Sequence, residues 1–269
     1  MGLDLITQRP CKVKETLPPP RLLETIRRRN RAMAVFDTLT EAGRTKEQAL
    51  DFQFIVQVNG PKGVTHQNAR VYEELRHAQI LEQLAPICEE CPVSQGRSYG
   101  CIGYVSYPIS EMCEAWLIGV AEESYKSGPP YSLMIDFILD KKITGDRIAA
   151  MRKSGQTFFQ YPFPKQVLLS KGLFIKKTLN TNQLLEVMLI SGTMQTTHMN
   201  YLLMLFGGLL VSDAEPEGKF SKWNGESGKY MYLGLDLPGD ADDSMRELYG
   251  YFQHLFLALA NEGLGVEMD

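Results

Sequence analysis

The chain has 269 residues, of which 44% are hydrophobic and 22% charged, and a formal net charge of −4. That length buries one large core or two modest ones, and the composition excludes general disorder. The acidic balance argues against a nucleic-acid binder that works through overall charge, because neutralising phosphates needs clustered Lys and Arg.

The opening stretch from Met1 to Ile6 has no cationic segment followed by a long apolar run, so no signal peptide is expected. Ile6 also stands where a myristoylation motif takes Ser or Thr, and a cytoplasmic protein is the expectation. Residues 1–20 end in Pro18, Pro19 and Pro20 without sustained periodicity and read as an arm. Leu22, Leu23 and Ile26 begin the first helix, ahead of the basic run Arg27, Arg28, Arg29 and Arg31, which reads as a solvated helix face before it reads as a contact for an acidic partner. Met33–Leu39 and Phe52–Asn59 are predicted strands. In the second, Phe52, Phe54, Val56 and Val58 alternate with polar residues, the mark of a half-buried strand. From Asn68 to Ile87 the apolar spacing predicts a helix running up to the first cysteines.

The clearest chemistry lies between positions 88 and 113, which hold four of the chain's five cysteines: Cys88, Cys91, Cys101 and Cys113. Two residues between Cys88 and Cys91 form a turn that lets both thiolates meet one metal ion. Gly96 and Gly100 give the chain freedom to return a third sulfur from Cys101, and the fourth ligand is Cys113, His77 or Cys11. A second Cys-x-x-Cys pair, which most zinc signatures carry, is missing. Zinc is favoured over an iron–sulfur cluster: Cys91-Pro92 echoes the Cys-Pro step of ferredoxins, but the gap to Cys101 is too long for that run. Glu89 and Glu90 add negative charge that Arg97 offsets. Redox exchange is disfavoured, since reactive pairs sit in electropositive surroundings at helix starts, and this pair follows a helix with two acids beside it. Cys113 has a second reading as a core thiol, on one apolar stripe with Trp116, Leu117 and Val120 of a helix starting near Ser110. Were the metal catalytic, Glu111 or Glu114 would serve as its base.

Cys101–Tyr107 alternates like a strand closed by Pro108. Ser127-Gly128-Pro129-Pro130 can continue neither helix nor strand and marks the best internal boundary. Beyond it, helices are predicted over Leu133–Leu139, Gly145–Lys153, Thr181–Ile190 (capped by Asn180 or Thr181) and Thr197–Leu210. The apolar run Tyr201–Val211 is too short for a membrane span, which takes about 20 residues. Glu215–Gly228 reads as an exposed loop, Tyr230–Leu237 as a strand returning to the N-terminal sheet, and Asp240 or Asp242 caps a last helix to Leu259. The aspartates near position 240 lack the spacing of a calcium loop, and no hydrolase, metalloprotease or phosphate-loop motif is legible.

These readings predict an α+β fold, a small mostly antiparallel sheet carrying helices. It comprises the arm (1–20), an α/β part with the cysteines (21–126) and a mainly helical part (131–269), together one unit. The expected function is a binding or regulatory module with a cysteine-ligated structural zinc, acting on a protein partner or small ligand. The alternative is an iron–sulfur or metal-dependent enzyme or redox sensor using the same cysteines. A third reading has no metal and a helical homo-oligomer interface.

Overall fold

The computed structural model describes residues 3–60, 63–89, 91, 93, 98–154, 158–171, 175–189, 192–214, 220–222, 228–260 and 266–268. The class is α+β, as composition and periodicity imply, and every strand ladder among the described residues is antiparallel. The chain divides into two compact units at boundaries other than 20/21 and Ser127–Pro130. Residues 10–100 form an inserted unit, and residues 1–9 with 101–269 form a discontinuous one.

The first strand, β1 (Leu5–Thr7), belongs to the discontinuous unit, so the N-terminal residues are not a free arm. The inserted unit starts with α1 (Lys12–Thr16) and α2 (Pro19–Glu41). Pro19 and Pro20 fit the first turn of α2, where their missing N–H groups cost nothing. The helix stops at Gly43, whose φ of +85° reverses the chain. The Gly43 N–H then donates to the Thr40 carbonyl and the Arg44 N–H to the Leu39 carbonyl, the paired bonds of a Schellman end. The stretch Met33–Leu39, predicted as a strand, is therefore the last third of α2. Its Met, Ala and Leu are good helix formers, and Ala32, Phe36 and Leu39 keep helical spacing with the buried Leu22 and Leu23.

Next come α3 (Lys46–Leu50), opened by a Thr45/Gln48 capping box, and a hairpin of β2 (Gln53–Gly60) and β3 (Gly63–Arg70). The single helix expected over 68–87 is in fact the end of β3, α4 (Val71–His77), α5 (Ile80–Leu84) and a 3-10 turn (Ala85–Cys88). Pro86 prevents α5 from continuing as a regular helix. A two-pronged ion pair joins α2 to α4: Arg28 Nε and Nη2 each donate to a Glu74 carboxylate oxygen at 2.7 Å.

The discontinuous unit resumes with β4 (Ile102–Gly103), so only two residues of the predicted 101–107 strand pair with a neighbour. There follow α6 (Glu111–Lys126), α7 (Tyr131–Asp140), α8 (Asp146–Lys153) and a hairpin of β5 (Gln166–Lys171) and β6 (Ile175–Asn180). The chain goes on through α9 (Thr181–Met188), β7 (Gly192–Met194), α10 (Thr196–Leu205), β8 (Leu209–Ser212), β9 (Phe220–Lys222), β10 (Tyr230–Leu233), α11 (Asp243–Ala260) and β11 (Val266–Met268). Much of the expected 215–228 loop lies outside the described residues, and β9 falls within it.

One sheet has the order β4-β1-β11-β7 and another β8-β10-β9. The strand at Tyr230 therefore pairs with β8 and β9 and does not return to the N-terminus; β11 does so, with Leu5 opposite Met268. Helix α11 is central to the core. Phe252 meets the rings of Phe206 at 4.9 Å, Tyr251 at 5.4 Å and Trp116 at 6.3 Å, and Leu117, Ile135, Leu184 and Leu255 are buried in the same cluster.

A charged network lies inside this unit. Arg152 of α8, 3% exposed, forms a two-pronged pair with Glu114 of α6, 1% exposed. Arg152 Nε also donates to the Asn182 side-chain oxygen at 2.7 Å, and Nη1 to the Tyr161 carbonyl at 2.8 Å. The Phe159 ring covers the guanidinium at 3.8 Å, and the Thr181 hydroxyl donates to Glu114. Gly145, at φ +76°, lets α8 pass this close to α9: a Cβ there would stand 2.6 Å from that of Asn182.

Arg152→Ala leaves a buried carboxylate with only the Thr181 hydroxyl, and is expected to cost about 3–5 kcal/mol in urea denaturation. Arg246→Ala, at the exposed pair with Asp243, is expected to stay within about 0.5 kcal/mol. Equal losses in the two variants would refute the weight given to the buried pair.

Candidate metal centre

The 3-10 turn after α5 delivers Cys88 to the interior of the inserted unit, and the Cys91 N–H donates to the Cys88 carbonyl at 3.1 Å. That bond closes the tight turn expected of a Cys-x-x-Cys pair. Cys88 is buried and Cys91 half-buried, and both are free thiols.

Tyr99 packs against α5. Its hydroxyl donates to the Leu81 carbonyl, and burial pushes its phenol up to about 12. Its backbone sits at φ +63°, a region that side-chain-bearing residues seldom occupy. The Tyr99 backbone favours the thiolate form of Cys88. Burial pushes the Cys88 thiol up, and Cys91 and Cys11 push the same way, while the Tyr99 backbone and the Lys14 ammonium pull it down.

Cys11 caps the start of α1 through its backbone, its carbonyl accepting from the Glu15 N–H at 3.1 Å, while its side chain makes no capping bond. Helix α1 packs on the 3-10 turn that ends in Cys88. The fold thus brings Cys11, Cys88 and Cys91 into one neighbourhood.

The other predicted ligands are placed elsewhere in the chain's division. Cys101 and Cys113 belong to the discontinuous unit. Cys101 is buried, and its carbonyl accepts from the Thr7 N–H beside β1. Cys113 is 0% exposed in the first turn of α6, its N–H donating to the Ser110 hydroxyl at 2.9 Å. Burial pushes its thiol up to about 12, against a smaller opposing effect of a hydrogen bond with Ser244. These surroundings are those of a core thiol. His77 is exposed in the last turn of α4. Glu111 pairs with Lys165 near the surface, and Glu114 is buried in its pair with Arg152. Glu90, Pro92, Gly96 and Arg97 lie outside the described residues.

Among the described residues no three His, Cys, Asp or Glu side chains converge, as they stand, closely enough to hold an ion. The discontinuous unit also has an open cavity of about 180 Å³ lined by Arg152, Phe159, Gln160, Tyr161 and Pro162. The guanidinium on its wall is already engaged by Glu114, Asn182 and Tyr161.

Tyr99 and Lys14 were not legible as site residues. No residue pattern announces a left-handed tyrosine, and Lys14 reads as one more surface cation in a polar segment. Among the described residues no helix is long and apolar enough to cross a membrane. Comparison with known protein families, with curated proteins and with solved structures finds no match to this chain.

The Cys113 thiol makes alkaline stability a test of its burial. Up to its ordinary value of 9.0 the thiol is protonated in both folded and unfolded chains. As pH rises from there toward about 12 the unfolded chain releases the proton while the folded chain retains it, so stability falls across that window. Cys113→Ala is expected to flatten this part of the denaturation-midpoint profile. An unchanged slope would assign the loss to Tyr99 and Tyr251, whose phenols burial also raises.

Proposed function

We propose that this protein is a binding or regulatory module in which Cys88 and Cys91 hold a structural zinc ion. The observation that carries the reading is the tight turn closed by the Cys91 N–H on the Cys88 carbonyl, which leaves two free thiols three residues apart, with the left-handed Tyr99 backbone favouring the thiolate of Cys88. Groups that stabilise a thiolate's charge act as outer-shell partners of metal-binding sulfurs. A left-handed tyrosine is a costly way to place an amide, and such backbone outliers cluster at functional sites.

The donor set suits zinc. Thiolates select soft or borderline ions over magnesium or calcium. The free thiols carry no disulfide that would compete. Convergence on the ion requires the buried Cys88 and the half-buried Cys91 side chains to come together, at a cost small against the roughly 10–16 kcal/mol that structural zinc supplies in small domains. Zinc would add here the folding free energy that a short helix and a 3-10 turn draw only weakly from apolar burial.

A protein partner is the occupant proposed for the molecule's surface. Leu133 and Phe137 stand one helical turn apart on α7 and are each more than half exposed, an apolar pair of the kind that anchors protein contacts.

Elemental analysis of protein purified without an affinity metal is expected to find one zinc per chain. The double variant Cys88→Ser/Cys91→Ser is expected to lose the zinc together with several degrees of melting temperature. Metal-free wild-type protein that melts with the double variant's midpoint, both before and after added zinc, would overturn the proposal; iron with visible absorption would transfer the site to cluster chemistry.

A further inference from the structure

We infer that the outer edge of β2 is an interface with a second copy of this chain, the two β2 strands pairing antiparallel across a two-fold axis so that both hairpins join one continuous sheet.

The β2–β3 hairpin is a two-stranded sheet, paired without interruption from Gln53 opposite Arg70 to Gly60 opposite Gly63. Two strands alone are marginally stable in water and need further strands or a covering helix. Among the described residues no backbone hydrogen bond reaches the outer edge of β2.

The ladder fixes which backbone groups face that edge. The Val71 N–H donates to the Phe52 carbonyl at 3.1 Å, so these residues are a bonded pair at the base of the hairpin. Bonded and non-bonded pairs alternate along antiparallel strands. Phe54, Val56 and Val58 therefore turn their N–H and C=O groups to β3, while Gln53, Ile55, Gln57 and Asn59 turn theirs outward.

An antiparallel partner must set outward residues against outward residues, and β2 does this with itself when the pairing is centred on Val56. Gln53 then stands opposite the other copy's Asn59 and Ile55 opposite its Gln57, each pair exchanging two hydrogen bonds. Between them Val56 meets its own copy and Phe54 meets Val58, so these apolar positions oppose apolar positions. Ile55, 67% exposed in the single chain, is brought into the joined sheet. The strand has no Asp, Glu, Lys or Arg, so no like charges meet across the axis.

The edge of β3 differs. Its outward residues include His66 and Arg70, and Arg70 pairs with Asp51 at 3.6 Å. Charged residues blunt a strand edge against pairing. A second copy is favoured over a foreign strand because β2 matches its own sequence in both outward groups and polarity, and a two-fold pair closes both β2 edges at once.

Sedimentation equilibrium of the full chain over a range of concentrations is expected to show a dimer that dissociates on dilution. Ile55→Pro removes an outward N–H and spares the bonds to β3, so it is expected to sediment as monomer, about half the mass, where the unaltered chain is dimeric. Asn68→Pro makes the same change on the outer edge of β3 and is expected to remain dimeric. Val56→Cys is expected to form a disulfide-linked dimer with added diamide as oxidant, joined at position 56 in peptide mapping, because opposed residues of a non-bonded pair lie about 4.5 Å apart at Cα. Should Ile55→Pro unfold, this cross-link decides: its absence would overturn the inference. A chain that is monomeric at every concentration, or a dimer that a folded Ile55→Pro leaves intact, would also overturn it.

Discussion

The Glu114–Arg152 ion pair is the constraint around which the discontinuous unit is arranged. Two charges cannot leave water without several kcal/mol of loss each unless their hydrogen-bonding capacity is met. Here Arg152 is met by Glu114, Asn182 and the Tyr161 carbonyl, and Glu114 by Arg152 and Thr181. Those partners come from α6, α8, α9 and the stretch at Tyr161. Apolar packing alone tolerates many relative placements of such elements. A two-pronged guanidinium–carboxylate pair tolerates few, so the polar network selects among arrangements that the hydrophobic effect leaves nearly equal.

The same logic explains why the first turn of α9 is buried although it is polar. Thr181, Asn182 and Gln183 are each under 9% exposed. Thr181 serves Glu114, Asn182 serves Arg152, and the Gln183 amide donates to the Ile143 carbonyl at 2.7 Å. Gln183 also closes the capping box on Asn180, so helix start and buried network are one construction. Gly145 belongs to it as well, since any side chain there would push α8 away from Asn182.

Legibility in the sequence followed the range of the interactions. Ser110 was readable as a cap, and Asn180 and Asp242 as one of two candidates each, because a cap is settled within three or four residues, and the helices at α6, α7, α8, α9, α10 and α11 announce themselves by apolar spacing. Met33–Leu39 was misread because a short apolar run carries no decisive period, and its helical state follows from continuity with Leu22 and Leu23. The β5–β6 hairpin was missed: Gln166–Lys171 and Ile175–Asn180 mix lysines with aliphatic residues and show no clean alternation. The pairing of β10 with β8 and β9, and of β11 with β1, depends on long-range closure that local patterns do not contain.

The cysteines show the same division at the level of a site. The Cys88–Cys91 turn is a local property, and spacing alone was sufficient to read it. Proximity in sequence did not extend to Cys113, which follows the apolar stripe of α6 into the core because a neutral thiol is a small hydrophobic group. Cys11, which spacing offered only as one of several remote choices, precedes α1, which packs on the 3-10 turn ending in Cys88, and Tyr99 takes a backbone conformation that no motif records. Among its described residues the inserted unit buries few large side chains besides Leu22, Leu23, Leu81, Leu84 and Tyr99, whereas the discontinuous unit encloses several packed aromatic rings. A unit with so thin an interior depends on specific links such as Arg28–Glu74 and Tyr99–Leu81. A metal ion held by thiolates would act there as one more link, in the part of the chain where each adds most to stability.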